Sequence, residues 1–226
     1  MLKTAMILAA GRGERMRPLT DSVSKPLLKV RSKALIEYHL EALKRSGYQR
    51  IVINHAWLGH QIESLLGTGE RFGLDILYSA EDQALETAGG IFNALPLLCP
   101  NPKDDVFTVV NGDIFTDFDF NTLPTGLPEG VEAHLVMVDN PSHNPQGDFY
   151  FADHALHPDK GCKLTVCGIA VYRKCFFTQM NSGVKPLLPL WRTAINHGQV
   201  SAQYYTGPWT DVGTPQRLIE LNNIES

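Results

Sequence analysis

Through the first half of the chain the apolar positions fall into short runs that change period. Residues 4–10 are apolar at nearly every position, as in a parallel strand buried on both faces. In 34–46, Leu35, Ile36, His39, Leu40 and Leu43 recur at the spacing of one helix face, and Gly47 closes the pattern. The alternation continues with a strand at 50–54, a helix at 60–66 closed by Gly67 and a strand at 74–78. A helix at 87–95, stopped by Pro96, and a strand at 106–110 complete the first half. That order predicts an α/β fold, a Rossmann-like, mostly parallel mixed sheet flanked by helices with right-handed crossovers.

The second half changes character. Strand patterns at 133–139, 148–152, 164–172 and 200–205 are separated by loops rich in Pro, Gly and Asn. Helical patterns run over 185–197 and from Pro215 onward. The expectation is one domain over 1–226. Its first part, about 1–113, would hold a nucleotide, and 114–226 would form a lid and a pocket for a second substrate.

Composition narrows the class. A 43% apolar fraction, 9% aromatics and a formal net charge of −4 describe a globular protein and argue against a general nucleic-acid binder. No apolar run approaches the roughly 18 residues of a membrane span, and the N-terminal run meets Arg12 too early for a signal peptide. A cytoplasmic location is expected. Cys99, Cys162, Cys167 and Cys175 form no Cys-x-x-Cys pair and read as reduced, mostly buried thiols. The histidine pairs His55/His60 and His154/His157 sit in no metal-protease frame, and no Gly-x-Ser-x-Gly elbow is present.

Against that background the basic residues after the first strand stand out. Ala9-Ala10-Gly11-Arg12-Gly13 leads into Arg15, Arg17 and Lys25. Backbone N–H groups in a glycine-bearing loop form a concavity for phosphate, and the cations supply countercharge. The loop is neither the dinucleotide fingerprint, because Met16 stands at its third glycine, nor a P-loop, because no Gly-Lys-Ser/Thr follows. Taken by itself it is also an ordinary strand-to-loop turn. Asp113 follows a strand end, and Asp211 lies in Trp209-Thr-Asp-Val-Gly-Thr214. Two carboxylates with phosphate oxygens suit a hard divalent ion, while each aspartate alone also suits a turn or helix cap. Ligands of open α/β sheets bind beyond the carboxyl ends of the strands, where both the 11–17 loop and the 111–113 loop should lie.

Gly-x-Gly-x-Arg-Met-x-Pro-Leu-Thr followed by Lys-Pro-Leu resembles the signature of the sugar-phosphate nucleotidyltransferases. The family usually has Pro-Lys-Pro-Leu, and Ser24 replaces the first proline. The resemblance implies transfer of a nucleotidyl group from a nucleoside triphosphate to a sugar 1-phosphate. Arg15, Lys25 and Asp113 would be catalytic. Ala9, Ala10, Gly11, Arg12, Gly13, Glu81, Thr87 and Gly89 would contact the nucleotide. Asn111, Gly147, Asp148 and Gly168 would contact the sugar, and Asp113 with Asp211 would bind Mg2+. Leu85-Glu-Thr-Ala-Gly-Gly90 is similar to the base-pocket loop, with Glu86 where that loop usually has glycine. By their residues alone, Thr87 is also a helix cap and 145–149 an ordinary hairpin.

Ile53-Asn-His-Ala-Trp-Leu-Gly59, Val138-Asp-Asn-Pro-x-His143 and Gly147-Asp-Phe149 narrow the resemblance to short uridylyltransferases of cell-wall recycling. That implies UTP and N-acetylmuramate α-1-phosphate as substrates. The same cradle would serve GTP or UTP with mannose or glucose 1-phosphate. A silent nucleotide-sugar-sensing subunit is the non-enzymatic alternative.

Overall fold

The computed structural model describes residues 2–223. In chain order the first strands and helices are β1 (Thr4–Leu8), α1 (Leu19–Ser22), β2 (Lys29–Val30), β3 (Lys33–Ala34), α2 (Leu35–Arg45), β4 (Arg50–His55), α3 (Gly59–Leu66), β5 (Asp75–Ala80) and α4 (Glu86–Leu98). They are followed by β6 (Val106–Asn111), β7 (Ile114–Thr116), β8 (Ala133–Val138), β9 (Phe149–Ala152), β10 (Ala155–His157), β11 (Cys162–Arg173) and α5 (Cys175–Thr178). The last elements are α6 (Leu188–Asn196), β12 (Val200–Tyr204), β13 (Trp209–Asp211) and α7 (Pro215–Asn223).

A nine-stranded sheet of order β5-β4-β1-β6-β11-β8-β12-β10-β9 runs through both halves of the chain. Strands β5, β4, β1 and β6 are parallel neighbours, whereas β11 lies antiparallel between β6 and β8. Strand β9 also pairs with β11, so β8, β12, β10, β9 and β11 close into a ring. The sheet is mixed, with its parallel part in the half where strands and helices alternate.

Successive residues of the parallel strands face opposite sides of the sheet. Ala5, Ile7, Ile51, Ile53 and Val110 join one apolar cluster, while Met6, Val52, Phe107 and Val109 join another. Both faces are covered, which explains the unbroken apolar runs. The predicted face of α2 is the buried one, and Glu37 reaches back to accept the N–H of Ala34 at 3.0 Å, satisfying the helix start.

Three local differences from the sequence pattern have physical causes. Helix α4 passes through Pro96 to Leu98, although proline removes one helical hydrogen bond. Ile91, Ala94, Leu95 and Leu98 all lie buried in one cluster, so packing carries the last turn past the proline. Helix α6 starts at Leu188, because the backbone of Lys185 is engaged with the start of α4 and 185–187 stay outside the helix. Strands β7 and β13 have three residues each, too few to show a period. Two of the four free thiols, Cys99 and Cys167, are buried, and Cys162 and Cys175 are exposed.

Candidate active site

A third apolar cluster, smaller than the other two, gathers the sequence-distant parts of the site. Met16 of the arginine loop, Leu28 and Val30 after Lys25, Leu35 of α2, and Val212 and Leu221 near the C-terminus pack together, each no more than 7% exposed. Burial of side chains of this size stabilises by about 1.5–3 kcal/mol each. The loop, the lysine and the C-terminal Asp-Val-Gly are thus anchored on one piece of core.

The loop itself turns at Gly13, whose φ of 70° is disfavoured for a residue with a Cβ. A side chain there would also meet Thr20 Cγ2 at 2.9 Å. At Gly11 a Cβ would meet nothing within 4 Å, so a side chain would project into open space at the strand end. A cavity of about 320 Å³ opens there, lined by Ala9, Ala10, Gly11, Gly13, Lys25 and Asp113, with Thr87, Glu86 and Asn111 on its other wall. Lys25 donates a hydrogen bond from Nζ to Asp113 Oδ2, and its side chain is only 11% exposed.

Asp211 is carried to the same place by backbone pairing. Strand β13 is antiparallel to β7 with Asp211 opposite Ile114, and the Val212 N–H donates to the Asp113 carbonyl at 2.7 Å. The Asp211 carboxylate accepts from Arg217 Nη1 and has His143 Nε2 at 3.1 Å from Oδ1. A Cβ on Gly213 would lie 3.1 Å from Asp211 Oδ2 and 3.3 Å from Arg15 Nη2, so Arg15 meets this cluster from the loop side. Asp113 lines the cavity and Asp211 lies on the strand paired beside it, and their oxygen donors are of the kind that suits a magnesium ion completed by phosphate oxygens. Among the described residues, no group of three or more His, Cys, Asp or Glu forms a self-sufficient metal site.

Three other predicted residues, Arg12, Glu81 and Gly89, do not line this cavity. Arg12 is held elsewhere. Its guanidinium lies 4.0 Å from the Trp57 ring centroid, donates to the Thr20 carbonyl at 2.7 Å and pairs with Asp21. Glu81 is 7% exposed, and both carboxylate oxygens are engaged, one by Asn54 Nδ2 at 2.7 Å and one by the Leu85 N–H at 2.9 Å. Asn54 in turn accepts the Ala9 N–H at 3.0 Å, so Glu81 and Asn54 tie the phosphate loop to the loop before α4. Gly89 lies under the 183–185 segment, where a Cβ would meet the Gly183 carbonyl at 2.3 Å. Glu86 has φ 58°, which explains why glycine suits that position.

A second cavity of about 370 Å³ adjoins the first and shares Leu8, Thr87 and Asn111 with it. Asp148, Gly168, Tyr172 and Trp191 also line it. Gly168 has φ 87° and sits at the bulge in β11, where a Cβ would strike the Asn111 amide at 2.8 Å. Asp148 is fixed by the Val166 N–H at 2.9 Å and Asn144 Nδ2 at 2.9 Å, with Gly147 turning the chain behind it. Trp191 Nε1 donates to the Tyr172 hydroxyl at 2.8 Å. Burial pushes the Tyr172 phenol well above its ordinary pKa, so it stays neutral.

Arg217, His143, Asn54 and Trp191 were not singled out from sequence. His143 and Asn54 fall within motifs that carried the resemblance, and Asn54 also ends a predicted strand. Arg217 and Trp191 sit on helices with no spacing that points to a site.

Two adjoining cavities, with a cationic glycine loop on one side and a polar-aromatic wall on the other, give room for two ligands side by side. The chain belongs to the Nucleotidyl transferase family, whose model matches residues 4–147. It is 51% identical to the N-acetylmuramate alpha-1-phosphate uridylyltransferase of Neisseria meningitidis serogroup B, over 97% of each chain. It is 31% identical to the enzyme of the same name from Caulobacter vibrioides, over 95% of this chain and 93% of that one. The fold matches a UDP-glucose pyrophosphorylase solved with UDP-glucose at a TM-score of 0.76 and 17% identity, over 99% and 98% of the two chains. The chain is a sugar-phosphate nucleotidyltransferase.

Proposed function

We propose that the enzyme joins UTP and N-acetylmuramate α-1-phosphate, forming UDP-N-acetylmuramate and releasing pyrophosphate, with Mg2+ held by Asp113 and Asp211. The observation that carries the chemistry is the Lys25–Asp113 pair at the mouth of the glycine loop, with Asp211 on the adjoining strand. The choice of substrates is supported by the extent of identity to the uridylyltransferase, which spans nearly all of both chains.

The sugar 1-phosphate is already an anion, so its oxygen attacks the α-phosphorus without a protein base. The α-phosphorus–oxygen bond to pyrophosphate breaks as the new bond forms, and no covalent enzyme intermediate is needed. Backbone N–H groups of the 11–13 loop bind the phosphates, and Lys25 stabilises negative charge on the transferring phosphoryl group. Arg15 neutralises the departing pyrophosphate. Bound magnesium would supply Lewis-acid polarisation of phosphate oxygens, held by the two aspartates. Asn111 and Asp148 orient the sugar, while Trp191 and Leu187 cover its apolar face. Positioning and charge neutralisation together account for catalysis in this class of reaction.

The test is pyrophosphate release from UTP, Mg2+ and N-acetylmuramate α-1-phosphate, run beside GTP and TTP and beside glucose and mannose 1-phosphates. Highest kcat/KM for the UTP and N-acetylmuramate pair supports the reading. Preference for another pair reassigns the substrates, and no release with any pair removes the catalytic reading.

A further inference from the structure

We propose that Gln61 of α3 is a positioning residue that holds Lys25 in place by clamping the backbone just ahead of it. The inference rests on the reading that Lys25 acts on the transferring phosphoryl group. Gln61 Oε1 accepts the N–H of Ser24 at 2.9 Å, and its Nε2 donates to the carbonyl of Ser22 at 2.8 Å. One side-chain amide therefore grips two backbone groups within three residues of Lys25. From the same side, Trp57 Nε1 donates to the Thr20 carbonyl at 3.1 Å.

The backbone at this point shows what the clamp replaces. Ser24 has φ −59° and ψ 134°, and Val23 before it has φ −129° and ψ 130°. Both are conformations that a proline at position 24 would impose through its ring and its clash with the preceding residue. Serine has no ring to impose them. Its side chain contributes nothing visible either, because Ser24 is 2% exposed and its hydroxyl has no hydrogen-bond partner. What fixes the segment is the N–H that proline lacks, held by Gln61. The two devices also exclude each other. A proline Cδ would stand where the N–H now meets an oxygen at 2.9 Å.

The experiment compares Gln61→Ala, Ser24→Pro and the double variant in pyrophosphate release, with Lys25→Ala alongside. Gln61→Ala is expected to lower kcat roughly tenfold, with KM for UTP within about twofold, because a misplaced catalytic group costs rate more than binding. Ser24→Pro alone should also lose kcat. Joined to Gln61→Ala it should recover most of the loss, a rescue that a merely structural glutamine would not give. If Gln61→Ala does not fold, Gln61→Glu serves, since it still accepts from Ser24 but cannot donate to Ser22, and an intermediate kcat is expected. Gln61→Ala or Gln61→Glu at wild-type kcat, or a double variant no better than Gln61→Ala, overturns the clamp. Lys25→Ala at wild-type kcat instead overturns the reading of Lys25 on which the clamp depends.

Discussion

Lys25 donates to the carboxylate of Asp113 from 88 residues earlier in the chain, and the pair closes the mouth of the glycine loop. In the proposed reaction the lysine acts on the transferring phosphoryl group, where its charge would matter most as negative charge builds. Lys25→Ala is expected to lower kcat by about 10²–10³-fold, the usual cost of removing one such electrostatic group, with a much smaller change in KM for UTP. Steady-state pyrophosphate release measures both constants.

Asp113→Asn removes the charge proposed to hold Mg2+ and leaves Lys25 without its anion. Activity should fall to background at any Mg2+ concentration. In the wild-type enzyme, EDTA should abolish release and added Mg2+ restore it, which an assay with and without chelator checks directly.

At Gly168 a Cβ would strike the Asn111 amide at 2.8 Å, on the wall shared by the two cavities. Gly168→Ala should displace Asn111 and strain a backbone with φ 87°. The expected outcome is a rise of roughly tenfold or more in KM for the sugar phosphate, larger than the change for UTP. Initial-rate measurements varying each substrate separate the two.

Glu86 places a carboxylate on the wall of a cavity proposed to take a polyphosphate, and holds φ 58° to do so. Glu86→Gly removes like charge and backbone strain together. KM for UTP should fall, and relief of about 1 kcal/mol would raise Tm by about 2–4 °C in a domain of this size. Kinetics and thermal unfolding of the variant test the two parts independently.

His39 lies buried beneath β7. Burial lowers its pKa from 6.5 to about 4, against the raising effects of a hydrogen bond to the Ile114 backbone and the charge of Asp113. The folded protein therefore keeps His39 neutral where the unfolded chain would protonate it. Its contribution is fully present above pH 6.5 and is lost as pH falls toward 4. The loss is on the order of 3 kcal/mol. Denaturant unfolding from pH 7 to pH 4 should show that slope, and His39→Gln should flatten it.

The parallel half of the fold was legible because each strand is buried on both faces and each helix on one. Leu35, Ile36, His39, Leu40 and Leu43 were read as a face and are one. Helix α4 overran its proline because tertiary packing outweighed one lost hydrogen bond. Strands β7 and β13 escaped notice, yet they bring Asp113 and Asp211 together, so the convergence of the aspartates rested on motif rather than on period. Arg217 was invisible for a related reason. A cation that steadies a carboxylate from a helix needs no fixed spacing from it. Glu81 was read as a base contact from its motif, and no period could show that both its oxygens are engaged inside the protein, tying two loops together.

The ring of β8, β12, β10, β9 and β11 leaves each of its members flanked on two sides. Among the described residues, only β5 in the large sheet, at the opposite margin, keeps an unpaired flank. Any association that lengthens this sheet by adding a foreign strand is therefore confined to Asp75–Ala80, on the far side from the second cavity. The end that carries the second cavity is protected from edge-to-edge aggregation by its own closure.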